Sequence, residues 1–344
     1  MPKVFRSRRL LALVVTGAVV VVAYAVVLPR IAGYGAVWRD LRHLGWTWSA
    51  LLALATLANL ATFAPPWMVA LPGLGFLNAL SMTQASTALG LVAPGGAPVG
   101  MASSYAMLRS WGFAGRPVAR AVAVTGIWNQ LSTFLFPIVA VALLAVEGTG
   151  SHTAWVLGVV AAVLFVAIAA AVALVLGSPK TAYRIGELAR SALDPLQRVL
   201  RRPPPVWSGE ALVRFRDETI ELIRRRRLAL TIATAANQLT GFLILDFSLR
   251  ALGISRHEVS IVESFAAWSL GRLIVSLPLT PGGVGFVELG LTATLIGFGG
   301  PNSKVVAAVL VYRALSVIPT LALGLLAAAT WRAQRPRLPA EAGE

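Results

Sequence analysis

The run Leu277-Pro278-Leu279-Thr280-Pro281-Gly282-Gly283-Val284-Gly285-Phe286-Val287-Glu288 sits inside an otherwise apolar region. Val259 to Leu279 precedes the break at Thr280 to Gly283, and Val284 to Phe298 follows it. Proline lacks an N–H and clashes with the preceding helical turn, while glycine readily adopts non-helical backbone. This cluster therefore interrupts a helix. The interruption frees N–H and C=O groups, which in hydrocarbon survive only when buried in protein or lining a polar cavity. The stretch reads as a broken helical hairpin whose arms are short for full membrane crossings.

The same design occurs in the first half. Val92-Ala93-Pro94-Gly95-Gly96-Ala97-Pro98-Val99-Gly100 separates the short apolar pieces Leu80 to Val92 and Val99 to Leu108. Downstream, Trp111-Gly112-Phe113-Ala114-Gly115 parallels Ile296-Gly297-Phe298-Gly299-Gly300, and a long apolar run follows each. Six full spans complete the pattern: Leu10 to Leu28, Trp46 to Leu71, Ala121 to Val146, Thr153 to Leu176, Leu228 to Leu252 and Val305 to Thr330. Pro65 and Pro66 are expected to bend or end the second of these.

Composition points the same way. Hydrophobic residues make up 57% and charged residues 13% of the 344 positions, against about 25% charged in soluble domains. A mean hydropathy of +0.76 requires lipid as solvent for much of the chain. The formal net charge of +16 is gathered between the apolar runs. Such clustering marks cytoplasmic loops and argues against nucleic acid as a partner. With no Cys, the chain has no disulfide, thiolate metal site or cysteine nucleophile. His43, His152 and His257 are too scattered for a metal cluster, so neither a metal nor a cofactor is expected.

The expected fold is an all-α polytopic membrane protein of about six spans plus two Pro-Gly-Gly hairpins, broken or re-entrant. Its parts are an N-terminal transmembrane helix and loop (1–45), a first membrane repeat (46–177), a basic loop (178–227), a second repeat (228–331) and a tail (332–344). Pro203 to Pro205 divides the basic loop into two expected helices. Lys3, Arg6, Arg8 and Arg9 at one end and Arg332, Arg335 and Arg337 at the other place both termini in the cytoplasm. Parity then makes the first hairpin enter from the cytoplasm and the second from outside, an inverted repeat.

Inverted repeats with interrupted helices point to a transport site near the bilayer midplane. Ionisable groups within apolar runs mark where it would lie, since they are costly there and usually pair or face a polar path. Glu288 is a natural partner for Arg272 or Arg313. The pair can be a structural brace or a functional element. In the second case the arginines hold a phosphate, and Glu288 positions them, caps the broken helix or carries a proton. Asp246 also lies within a span. Asn59, Asn129, Gln130, Asn237 and Gln238 are expected to hydrogen-bond between helices. The expected substrate-binding set is Pro94, Gly95, Gly96, Gly100 and Arg109 in the first half, with Arg272, Pro281, Gly282, Gly283, Gly285, Glu288 and Arg313 in the second. Arg109, Arg116 and Arg120 mark the cytoplasmic rim.

The stretch from Leu277 to Glu288, with Val92 to Gly100 and Tyr105-Ala106-Met107-Leu108-Arg109, resembles the lysylphosphatidylglycerol synthase transmembrane-region family, also described as flippase-like. Many members carry an acidic residue and an arginine after the first glycine-rich turn, where this chain has Met101-Ala102-Ser103-Ser104. The resemblance implies a membrane domain that translocates lipids or lipid-linked molecules. Its partners would be anionic phospholipids or polyprenyl-phosphate-linked molecules, with a lipid-modifying enzyme as a further partner. In fused members a soluble domain transfers the aminoacyl group. This sequence stops at Glu344, so that activity is not expected of it, and no catalytic residue is assigned. A bacterial plasma membrane fits the richness in Ala, Val and Arg. The other readings are a membrane-embedded lipid-modifying transferase and a scaffold that binds an enzyme through the basic loop.

Overall fold

The computed structural model describes residues 45–93, 96–148, 152–181, 183–184, 187, 209–276 and 280–331. The expected first span, the triple proline, both termini and the pair Pro94 and Gly95 lie outside them. The described residues are helical, with no strand among them. In chain order the helices are α1 (Trp46–Thr62), α2 (Pro65–Ala70), α3 (Phe76–Val92), α4 (Ala97–Ser110), α5 (Gly115–Glu147), α6 (His152–Gly177), α7 (Gly209–Ala251), α8 (Ile261–Ser276), α9 (Phe286–Gly297) and α10 (Asn302–Thr330). Among the described residues, four stretches are long and apolar enough to cross a membrane: Trp46–Ala70, Gly115–Glu147, Leu212–Ala251 and Asn302–Thr330.

Proline places the first joint. α1 stops at Thr62, and α2 restarts with Pro65 and Pro66 in its first turn, where a missing N–H costs nothing. Pro137 and Pro319, by contrast, lie inside α5 and α10 without ending them. The change from polar to apolar sequence at 227/228 is not a structural joint, because α7 runs through it for 43 residues. The polar part is rich in Arg and Glu, good helix formers, and carries the i,i+4 pairs Arg214–Glu210 and Arg225–Glu221.

The two hairpins approach from opposite ends of α10. Trp111, just after α4, donates from Nε1 to the Trp331 carbonyl at 3.0 Å, placing the base of α3–α4 beside the C-terminal end of α10. Gly299 and Gly300, just after α9, pack on the Glu258 carbonyl and on Val259 and Val305, beside its N-terminal end. The tips meet between these ends, where Gly282 lies against Leu91. Packing is also exchanged between halves: α3 lies along α10, and α8 lies along α5. The α3–α10 seam closes at Gly324, where an added Cβ would stand 2.3 Å from that of Ala88 and 2.8 Å from the Gln84 carbonyl.

Each hairpin has its own apolar core. Leu71, Met82, Leu108, Trp111, Val118 and Leu230 form one around the first. Trp268, Leu245, Leu291 and Val305 to Val309 belong to the other, around the second. Phe265 and Trp268 stack there, with Phe136 and Phe242 set against them.

Candidate functional site

The second break folds into a single turn of 3-10 helix at Pro281–Gly283. Gly282 takes φ +64°, and an added Cβ would also stand 3.0 Å from Leu91. Glycine is thus required twice over, by backbone conformation and by contact with the first hairpin. Gly283 and Gly285 are buried, with φ of +66° and +87°. The Thr280 hydroxyl donates to the Val284 carbonyl at 3.0 Å, satisfying one group freed by the break. The turn is inside the protein.

Glu288 stands three residues into α9 with a side chain 1% exposed. Its Oε2 accepts the Gly285 N–H at 2.6 Å, capping the helix. Its Oε1 accepts Arg313 Nε at 2.6 Å. Arg313 Nη2 reaches the Gly282 carbonyl at 3.1 Å. One buried ion pair therefore ties α9 and α10 to the break itself. Of the two partners the sequence suggests for Glu288, the structure pairs it with Arg313.

Arg272 has a different setting. It lies on α8 between Gly271, which packs on Leu291, and Val275, which packs on Gly283. That brings it to the level of the tips. Its Nε is buried and has no hydrogen-bond partner among the described residues. Other buried polar atoms without partners among the described residues include both amide atoms of Gln84, Thr292 Oγ1 one turn beyond Glu288, Trp268 Nε1 one turn before Arg272, Thr234 Oγ1 and the Nε atoms of Arg120, Arg216 and Arg250. Sequence reasoning passed over Gln84. A lone amide in the apolar arm Leu80 to Val92 was the signal for it.

The first-half residues are less gathered. Gly96 caps α4 with φ +53°. Gly100 lies under the Ser86 carbonyl, where an added Cβ would come within 2.7 Å, so it holds the arms of the first hairpin together. Arg109 is exposed, and its Nη1 donates to the Phe113 carbonyl at 2.6 Å, closing the end of α4. It lies at the base of the hairpin, a helix length from the tips. Pro94 and Gly95 fall outside the described residues.

Of the five side-chain amides expected to join helices, Asn59, Asn129, Asn237 and Gln238 do so, whereas that of Gln130 makes no hydrogen bond among the described residues. Asn59 donates to the Asn237 carbonyl and to Thr240 Oγ1, joining α1 to α7. Gln238 donates to Asn129 Oδ1 at 2.8 Å, joining α7 to α5. Asp246 is an ion-pair partner of Arg250 and accepts the Ser264 hydroxyl, fixing the start of α8 to α7. Among the described residues no group of three or more His, Cys, Asp or Glu could hold a metal ion.

Two shallow, open grooves lie on the described residues, and neither is lined by the breaks. An apolar groove of about 340 Å³ lies between Phe136, Leu143, Leu239, Phe242 and Phe265. A charged groove of about 370 Å³ lies between Pro72, Arg120, Glu218, Leu222 and Arg226.

The family model described as the lysylphosphatidylglycerol synthase TM region matches residues 10–324, so this multi-pass membrane protein belongs to that family. A search of curated proteins found no match.

Proposed function

We propose that this member of the lysylphosphatidylglycerol synthase TM region family binds a lipid, or a lipid-linked molecule, with an anionic headgroup and moves it across the membrane where its two hairpin tips meet. The observation that carries the reading is the Glu288–Arg313 pair bonded to the Gly282 carbonyl at that meeting point. Charges at membrane depth are costly, and they concentrate on transport paths. Beside this pair, Arg272 brings a guanidinium whose Nε has no protein acceptor among the described residues. A phosphate is the acceptor that such a fork suits.

Opposite entry of the hairpins and the exchanged packing of α3 on α10 and α8 on α5 support an inverted-repeat reading. In such a repeat, rocking of one half against the other exposes a midplane site to each side in turn. Arg109, Arg116, Arg120 and Arg224 to Arg227 belong to the end that holds the base of the first hairpin. By the enrichment of Lys and Arg inside, that end and both termini are cytoplasmic in this reading, in a bacterial plasma membrane. The reading assigns the chain no catalytic step.

The test is transport of a headgroup-labelled anionic phospholipid in proteoliposomes. Arg313→Ala and Glu288→Ala should each abolish movement, and Arg313→Lys should restore part of it. Transport equal to wild type in both alanine variants would remove the pair from the path. A second reading makes the pair a brace only, since it also bonds the break. In that case Arg272→Gln should leave transport untouched.

A further inference from the structure

The second concavity and the lipid-facing side of α7 belong together. Arg224, Arg225, Arg226 and Arg227 are consecutive, so at 100° per residue they encircle the helix. No flat protein surface could meet all four. Arg226 reaches across to α2, its Nη1 donating to the Val69 carbonyl at 3.1 Å while the residue stays exposed. Arg224 and Arg225 share the single carboxylate of Glu221, and their side chains remain 77% and 73% exposed. Arg227 has no ion-pair or hydrogen-bond partner among the described residues. The collar therefore carries an uncompensated positive charge, and Arg225 and Arg226 line the charged groove.

Below the collar the helix turns apolar. Leu228, Ile232, Leu239 and Leu243 are all exposed and fall within about 60° of one another around the helix axis. Arg224 and Arg225 flank the top of this stripe. The span from Leu228 to Leu239 rises about 16 Å, close to half of a ~30 Å hydrocarbon core. Phosphate-binding charge stands above one leaflet's depth of bare aliphatic surface. That is the profile of a diacyl phospholipid with a negative headgroup.

We propose that α7 seats an anionic phospholipid of the leaflet at this end of the molecule, its phosphate between Arg224 and Arg225 and an acyl chain along Leu228 and Ile232. The seat is separate from the hairpin tips and stands whether or not the chain transports lipid.

The experiment measures retention of phosphatidylglycerol and of phosphatidylcholine by the full chain in detergent, by native mass spectrometry, across a salt series. Phosphatidylglycerol should be preferred, and the preference should weaken with salt. Arg224→Gln with Arg225→Gln should lower phosphatidylglycerol binding about thirtyfold, while the double Lys variant should stay within a few-fold of wild type. Leu228→Ser with Ile232→Ser should weaken binding and leave the salt dependence intact. Equal retention of the two lipids by wild type would overturn the proposal, as would a salt-independent preference, which can be read even if the Gln variant fails to fold. Full displacement by millimolar inorganic phosphate would show a free-anion site instead.

Discussion

At the scale of single residues, the tip region contains two arginines with opposite energetics. Arg313 is spent on protein acceptors, Glu288 and the Gly282 carbonyl. Removing it takes the ion-pair partner from a buried carboxylate, a change that typically costs about 3–5 kcal/mol. Arg313→Ala should therefore lower the unfolding temperature as well as activity, read by thermal melts of the purified protein. Arg272 offers its Nε to no acceptor among the described residues. Arg272→Gln should leave the melting temperature within a degree or two of wild type, or raise it, while reducing binding of an anionic lipid. A large loss of stability in that variant would mean that Arg272 holds the fold together. Glu288 shows how much a sequence reveals here. Its place three residues after a glycine made it legible as a cap and as a partner for an arginine. Which arginine it would take was not legible, because that depends on how α9 and α10 face each other.

At the scale of elements, short-range chemistry was readable and seams between helices were not. The joint at Pro65 and Pro66 and both breaks follow from the backbone limits of proline and glycine, and amides within apolar runs signal interhelical hydrogen bonds, which Asn59, Asn129, Asn237 and Gln238 make and Gln130 does not among the described residues. The continuity of α7 across residues 227 and 228 was missed because polarity was taken as a boundary, although helix propensity does not change there. Gly324 carried no signal, since one glycine in an apolar run has no visible partner. Yet it sets the approach of α3 to α10. Gly324→Ala should destabilise the protein by about 1–3 kcal/mol through overpacking. Gly297→Ala is the control, because nothing lies within 4 Å of an added Cβ there. Equal denaturant midpoints for both variants would mean that the seam is loose.

At the scale of the whole molecule, the central claim is that the two hairpins enter from opposite faces and meet inside. Three contacts support that claim: Trp111 with Trp331 at one end of α10, Gly300 with Val305 at the other, and Gly282 with Leu91 between them. A separate apolar core packs around each hairpin. The chain has no native Cys, so single cysteines report without background. The most direct measurement is labelling of Ser110→Cys and His257→Cys, at the bases of the first and second hairpins, with a membrane-impermeant thiol reagent applied to one face of sealed vesicles. The expected result is that each cysteine reacts from one face only and that the two faces differ, with Ser110→Cys reacting from the cytoplasmic side. Labelling of both from the same face would contradict opposed entry and, with it, the transport path through the meeting of the tips.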